Sequence, residues 1–157
     1  MPLSKESRGS VLSPEDRTKL FEAAQAKPHW QAAFLFDMIS INTSAGPKEV
    51  ATLRLKDVDL ENRLIVVQPG GAKNVHRVRP IPLNQEAFQA VKLAVARARE
   101  LGACEPDHYL FPYLDKRTQT HDATRYQTTF KTAWKRIREK AGLPKFRLYD
   151  LRTTQLP

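Results

Sequence analysis

The segment "INTSAGPKEVATLRLKDVDLENRLIVV" (residues 41–67) decides the fold, because one short stretch holds a helix start and two strands. Pro47 directly after a glycine predicts a short helix that begins at this proline. Two β-prone runs then flank "DLENR", and "VRPIPL" (78–83) is a third run after a glycine-containing loop. Pro80 and Pro82 confine the third strand to a sheet edge or to irregular pairing. These runs predict a small three-stranded antiparallel sheet.

Helices are predicted before and after this sheet in the sequence. Ser13 and Pro14 open the first, and "HWQAAFLFDMISINTS" (29–44) is apolar on several faces, which predicts a buried central helix. Asn84 caps "QEAFQAVKLAVARARELG" (85–102). The last helix is predicted from an Asp122 cap to Gly142, after a loop at 105–122 whose "YLF" is a buried extended stretch.

These elements indicate an α+β fold, mainly helical with one small sheet. Residues 1–12 are expected to form a flexible N-terminal arm, and 13–157 a single domain. A chain of 157 residues is long enough to bury roughly 70% of its unfolded surface without disulfides or metals.

The net charge is +9, from 26 Lys and Arg against 17 Asp and Glu. Such an excess favours polyanionic partners, with nucleic acid first and an acidic membrane surface or acidic protein second. Cys104 is alone, so it cannot form an intramolecular disulfide, and we expect it to be a packing residue in a reducing compartment. The longest apolar stretch is too short to span a bilayer. A cytoplasmic protein is expected.

Motifs for metal or nucleotide chemistry are weak. The four histidines are far apart in sequence and lack the spacing of metal ligands. Asp57 and Asp59 are a weak candidate pair for Mg²⁺, since two acids around a short strand are more often turn and solvation residues. "PGGAK" (69–73) precedes a strand, whereas a P-loop lysine precedes a helix. No metal and no cofactor are predicted.

Basic residues are the remaining candidates, and each falls on a predicted rigid element. Cations that converge on one surface neutralise phosphates and release counterions, which gives salt-sensitive binding to DNA. The predicted DNA-binding residues are Lys73, Arg77, Arg79, Lys131, Lys135, Arg138, Arg147 and Arg152.

Three segments, in this order, resemble the catalytic domain of the tyrosine recombinases, the phage integrase family. They are residues 41–67, "GGAKNVHRVRPIPLN" (70–84) and "FRLYDLRTT" (146–154), and the resemblance covers essentially the whole chain. It implies a domain that clasps duplex DNA and uses no metal. It also implies DNA breakage and rejoining through a phosphotyrosyl link, with two arginines on the phosphate and a lysine that protonates the leaving oxygen.

The family positions are retained unevenly. Lys73 matches the hairpin lysine, Arg152 the second arginine, and Glu49 the acidic residue that supports the first arginine. The position of that first arginine itself is Gly46. Tyr149 stands where the family most often has histidine, and a phenol with an unperturbed pKa near 10 is a poor base at neutral pH.

The family's nucleophilic tyrosine follows the second arginine by a few dozen residues, and Thr153 replaces a histidine near that arginine. Tyr109, Tyr113 and Tyr126 are in the wrong place and are interpreted as core or loop aromatics. We therefore expect a truncated, catalytically inactive domain that still binds double-stranded DNA.

Two alternatives stay open. The chain is an active recombinase fragment completed in trans or by further C-terminal residues, or it is a non-catalytic nucleic-acid-binding regulator. An apolar patch is also expected around the last helix, near Trp134 or Leu148, and it predicts self-association into a homo-oligomer.

Overall fold

Three helices open the described chain. The computed structural model describes residues 14–67, 78–128 and 130–142, so the predicted arm at 1–12 lies outside it. Helix α1 (Pro14–Ala24) begins at the predicted proline, and α2 (Pro28–Ile41) follows after a short turn. Helix α3 (Pro47–Ala51) is a single turn that also begins at its predicted proline.

Helix α2 is the centre of the core, as predicted from its apolar faces. Phe34, Met38 and Ile39 are fully or almost fully buried, because α2 packs against all of α1, α3 and the two helices that follow the sheet. A helix that is apolar all round gains stability only when it is surrounded in this way. Asp37 of the same helix is also buried.

The predicted three-stranded antiparallel sheet is confirmed. A 3₁₀ turn (Leu55–Asp57) leads into β1 (Val58–Asp59), which pairs with β2 (Leu64–Val67), and β2 pairs with β3 (Arg79–Pro82). In β2 the side chains alternate between buried and half-buried positions, because successive residues face opposite sides of a strand. Strand β3 lies at an edge, which suits its two prolines.

Helix α4 (Gln85–Glu100) starts directly after Asn84, the cap that the sequence predicted. The Oδ1 atom of Asn84 accepts a hydrogen bond from the backbone N–H of Ala87 at 2.8 Å. Small residues of α4, including Ala90 and Ala94, are fully buried, which allows α4 to pack against α2. The central helix is thereby covered on this side.

A second hairpin occupies the region predicted to be a loop, and that prediction is wrong. Strands β4 (Pro112–Asp115) and β5 (Thr120–Tyr126) pair antiparallel around a tight turn. In the turn, Gln119 has a φ of 58° and its backbone N–H donates to the carbonyl of Asp115. Ala123 is the one buried residue of β5, and most of the other residues of this strand are polar. A largely exposed strand therefore has no apolar alternation that the sequence could reveal.

The last described helix starts later than predicted. Asp122 lies in β5, so α5 (Lys131–Ala141) begins nine residues after the predicted cap and ends as predicted before Gly142, whose φ is 78°. Ile137 is buried, and Trp134 is only 8% exposed. The predicted apolar patch at Trp134 is therefore wrong, and Leu148 lies outside the described residues. Cys104 is exposed rather than a packing residue.

No helix among the described residues is long and apolar enough to cross a membrane.

Candidate nucleic-acid interface

Gly46 forms a tight corner between α2 and α3. It has extended backbone angles (φ −75°, ψ 164°) and precedes the first residue of α3. Its N–H donates to Oε1 of Glu49 at 2.9 Å, which satisfies one of the donors left over at a helix start. We call Ser44, Gly46, Glu49 and Arg79 the Gly46 corner.

Arg79 reaches this corner from the edge strand β3. Its Nη1 donates to Oε2 of Glu49 at 3.1 Å, and its Nη2 donates to Oε1 at 3.3 Å and to the carbonyl of Ser44 at 3.4 Å. Two parallel donors on one carboxylate fix the guanidinium in position and orientation. The ion pair thus ties the outer strand of the sheet to the start of α3.

Glu49 compensates the charge of Arg79 within the Gly46 corner. The hydrogen bond from the Gly46 N–H, and next the one from Arg79, hold the pKa of the Glu49 carboxyl below its ordinary value. The carboxylate is therefore charged at neutral pH and offsets the guanidinium beside it. The Arg79 side chain is nevertheless 45% exposed, so part of it faces solvent.

The backbone at Gly46 does not require glycine. A Cβ atom placed there meets Oε1 of Glu49 at 3.8 Å as its nearest neighbour, which is ordinary van der Waals contact, and φ lies in a region open to all residues. A residue with a Cβ atom would therefore fit at position 46.

The structure describes three of the predicted DNA-binding side chains. Arg79 is on β3, whereas Lys135, which is exposed, and Arg138, which is half-buried, are on α5. Lys131 begins α5, but its side chain is not described. The other predicted site residues lie outside the described residues: Lys73, Arg77, Arg147, Tyr149 and Arg152.

The described tyrosines are engaged in packing. The hydroxyl of Tyr109 accepts a hydrogen bond from Nη2 of Arg54 at 2.8 Å, and its ring centre lies 5.3 Å from that of Tyr126. The guanidinium of Arg125 lies 3.9 Å from the ring centre of Tyr113. All three rings thus take part in the β4–β5 region.

A second group of cations was missed by the sequence reasoning. Lys27, Lys116, Arg117 and Arg136 line one cavity of about 620 Å³, which we call the basic cavity. Lys27 and Arg136 are 109 positions apart in sequence, and the hairpin between them was predicted as a loop. The one local signal was "DKR" (115–117), whose turn places two cations together.

Metal ligands do not gather in the described part of the chain. No group of three His, Cys, Asp or Glu side chains there is arranged to hold a metal ion.

Comparison with known proteins gives a family and a fold. The phage integrase family matches residues 10–156. No curated protein matches this chain.

Three solved structures with a similar fold are recombinases or integrases. The XerA recombinase aligns over 90% of this chain and 47% of its own, with a TM-score of 0.53 and 22% identity. The XerH site-specific recombinase, in a pre-cleavage complex with its difH substrate, aligns over 92% of this chain and 40% of its own, with a TM-score of 0.51 and 22% identity.

The integrase of the transposon Tn1549, in complex with circular intermediate DNA, aligns over 92% of this chain and 50% of its own, with a TM-score of 0.53 and 22% identity. This chain therefore spans half or less of the length of these three proteins.

Proposed function

Because this chain belongs to the phage integrase family, we propose that it is a recombinase-type domain that binds duplex DNA without cutting it. Two neighbours in fold, XerH and the Tn1549 integrase, are bound to DNA. The net charge of +9 supports the same partner, since phosphates attract a cationic surface irrespective of base sequence. The proposal places the domain at residues 13–157.

The observation that carries the absence of cleavage is the Gly46 corner. Gly46 occupies the family position of the first arginine and provides no cation. Arg79, the cation that the structure does place at this corner, is paired with Glu49. A pentavalent phosphate needs preorganised positive charge, and loss of one such donor costs about 10²- to 10³-fold in rate. A neutral corner is therefore suited to hold DNA weakly and not to stabilise the transition state.

Lys73 and Arg152 are proposed to hold phosphates in the same interface, together with Arg77, Arg79, Lys131, Lys135, Arg138 and Arg147. Tyr149, at the position where the family most often has histidine, is proposed to donate a hydrogen bond and not to act as a base, since its unperturbed pKa is about 10. The proposed interface uses no metal or cofactor.

Binding is measured first, by fluorescence anisotropy of a labelled mixed-sequence duplex across a salt series. Lys73→Ala and Arg152→Ala are compared with Lys92→Ala, an exposed lysine of α4. The wild-type plot of log K against log [salt] is expected to fall steeply. Lys73→Ala and Arg152→Ala should each make the slope less negative by roughly 0.9. Absence of binding at low salt would contradict the proposal.

Cleavage is measured with a nicked suicide duplex, which traps any covalent protein–DNA intermediate. We expect no covalent adduct from this chain under conditions where it binds the duplex. An adduct that migrates with the chain on a denaturing gel would show that the domain is catalytically active, and its tyrosine is then identified by peptide mapping. The two assays separate the binding part of the proposal from the inactive part.

Self-association and a cytoplasmic location stay predictions. Trp134 is buried, so it cannot form the interface that the sequence suggested. Light scattering at increasing protein concentration tests the oligomer directly, and a constant monomer mass contradicts it.

A further inference from the structure

The basic cavity lies between three elements that are distant in sequence. Lys27, which caps α2, and Trp30, in its first turn, form one wall. The β4–β5 turn with Lys116 forms the second, and Arg136 of α5 the third. Its volume of about 620 Å³ lies within the roughly 300–1,000 Å³ typical of sites for small ligands.

Cations outnumber acids in the lining of this cavity. Four Lys and Arg side chains line it against one acid, Asp115. That carboxylate already accepts the backbone N–H of Arg117 at 3.0 Å and forms a long ion pair of 3.9 Å with its guanidinium. No described carboxylate forms an ion pair with Lys27, Lys116 or Arg136.

The pKa of His29, which lines the cavity, reflects this excess of positive charge. Burial lowers the pKa of its imidazole most, and the positive charges of Lys116, Lys27 and Arg97 lower it further. Arg97 is itself buried, and it acts on His121 in the same direction. Lys27 and Lys116, which line the cavity, therefore both raise the positive potential at His29, as expected of a site that binds an anion.

A smaller cavity of about 300 Å³ adjoins the first and shares Thr128 and Phe130 with it. It is lined by Pro47 and Lys48 of α3, directly after Gly46. The two cavities are therefore next to each other, and Lys48 adds a further exposed cation to their combined lining.

We propose that the basic cavity binds the phosphate group of a phosphate ester, either in a nucleic-acid strand or in a free nucleotide. Lys116 and Arg136 donate to the phosphate oxygens from opposite elements, and Lys27 adds charge above the Trp30 ring, where its Nζ lies 5.4 Å from the ring centre. Charge-assisted bonds from several donors are the strong kind of phosphate contact. This proposal does not depend on binding of duplex DNA.

Inorganic pyrophosphate is the first probe, titrated by calorimetry and by tryptophan fluorescence. Lys116→Gln and Arg136→Gln are each compared with Lys140→Gln, an exposed lysine on the same helix as Arg136. Each cavity variant is expected to weaken binding about tenfold, the equivalent of one charge-assisted hydrogen bond, and the control less than twofold. Trp30→Phe is expected to remove the fluorescence change, and Trp134→Phe to leave it.

The source of the phosphate is determined by competition. Displacement of pyrophosphate by a single-stranded oligothymidylate, but not by ATP at equal phosphate concentration, assigns the site to a nucleic-acid strand. Displacement of pyrophosphate by ATP, but not by the oligothymidylate, assigns the site to a free nucleotide. No saturable binding of pyrophosphate, or equal loss in Lys140→Gln and the cavity variants, would overturn the proposal even if duplex DNA binds elsewhere on the domain.

Discussion

The Gly46 corner and the basic cavity both contain cations. The cation of the corner is paired with a carboxylate, whereas three of the four cations of the cavity have no carboxylate partner among the described residues. In the corner, Arg79 is bound by two oxygens of Glu49 and by a carbonyl. In the cavity, Lys116 and Arg136 face an opening with no described acid paired to them. A guanidinium paired with a carboxylate ties elements together, whereas a cation without a carboxylate can bind an incoming anion. Charge alone therefore does not identify a phosphate site.

Asp37 is the extreme case in this comparison, since its carboxyl is buried and forms no ion pair with any residue that the structure describes. Burial raises the pKa of its carboxyl to about 8. The folded state thus keeps a proton that the unfolded chain loses near pH 3.8, so this group's stabilising contribution is complete below pH 3.8 and is lost as the pH rises to about 8.

The largest effect is accordingly expected from Asp37→Asn, which cannot ionise. At pH 8 its free energy of unfolding should exceed that of the wild type by on the order of 5 kcal/mol, with no gain at pH 4. Urea unfolding at both pH values measures this, with the exposed Asp107→Asn as control. A variant less stable than the wild type at pH 8 would show that Asp37 has a charged partner.

Glu49→Gln makes the corner resemble the cavity by removing the charge that compensates Arg79. We expect a loss of about 1–2 kcal/mol in the free energy of unfolding at pH 7, since the ion pair with Arg79 is removed and the glutamine amide has one acceptor oxygen where the carboxylate has two. Because the pKa of Glu49 is lowered on folding, the wild-type advantage should be complete above its ordinary value of 4.5 and disappear below it.

The same variant should bind duplex DNA more tightly at low salt, as Arg79 becomes available to phosphate. Comparison with Glu49→Gln/Arg79→Gln assigns the gain to the guanidinium. An equal affinity of the single and double variants would mean that Arg79 has no role in binding.

Gly46→Arg adds a cation to the corner and is expected to fold, because a Cβ is accommodated there. One added phosphate contact should raise DNA affinity by several-fold at low salt and steepen the salt slope by roughly 0.9. Gly46→Met is the uncharged control of similar length. A gain in both variants would indicate a contact that is not electrostatic.

The smallest effect is expected from Arg117→Gln. Its side chain is 91% exposed and its ion pair with Asp115 is long, so the free energy of unfolding should change by less than about 0.5 kcal/mol. Thermal unfolding in low and high salt measures the change. A larger loss that persists in high salt would place Arg117 among the structural cations, with Arg79.

Much of the fold could be predicted because its signals are local. Pro14 and Pro47 begin helices, Asn84 caps one, and the prolines of β3 require an edge strand. The second hairpin could not be predicted in this way: its strands are largely exposed, and the polar residues of β5 are as typical of a loop as of a solvent-facing strand. That error also moved the predicted start of α5 to Asp122.

The sequence by itself determined the family, the central apolar helix, the three-stranded sheet and the glycine at position 46, since each depends on residues close together along the chain. Only the tertiary structure decided which charges are compensated. Arg79 meets Glu49 across 30 positions, and Lys27 and Arg136, which are 109 positions apart, line the same cavity. The electrostatic energy of a cation depends on its distance from other charges and on burial, and neither quantity is encoded by neighbours in sequence.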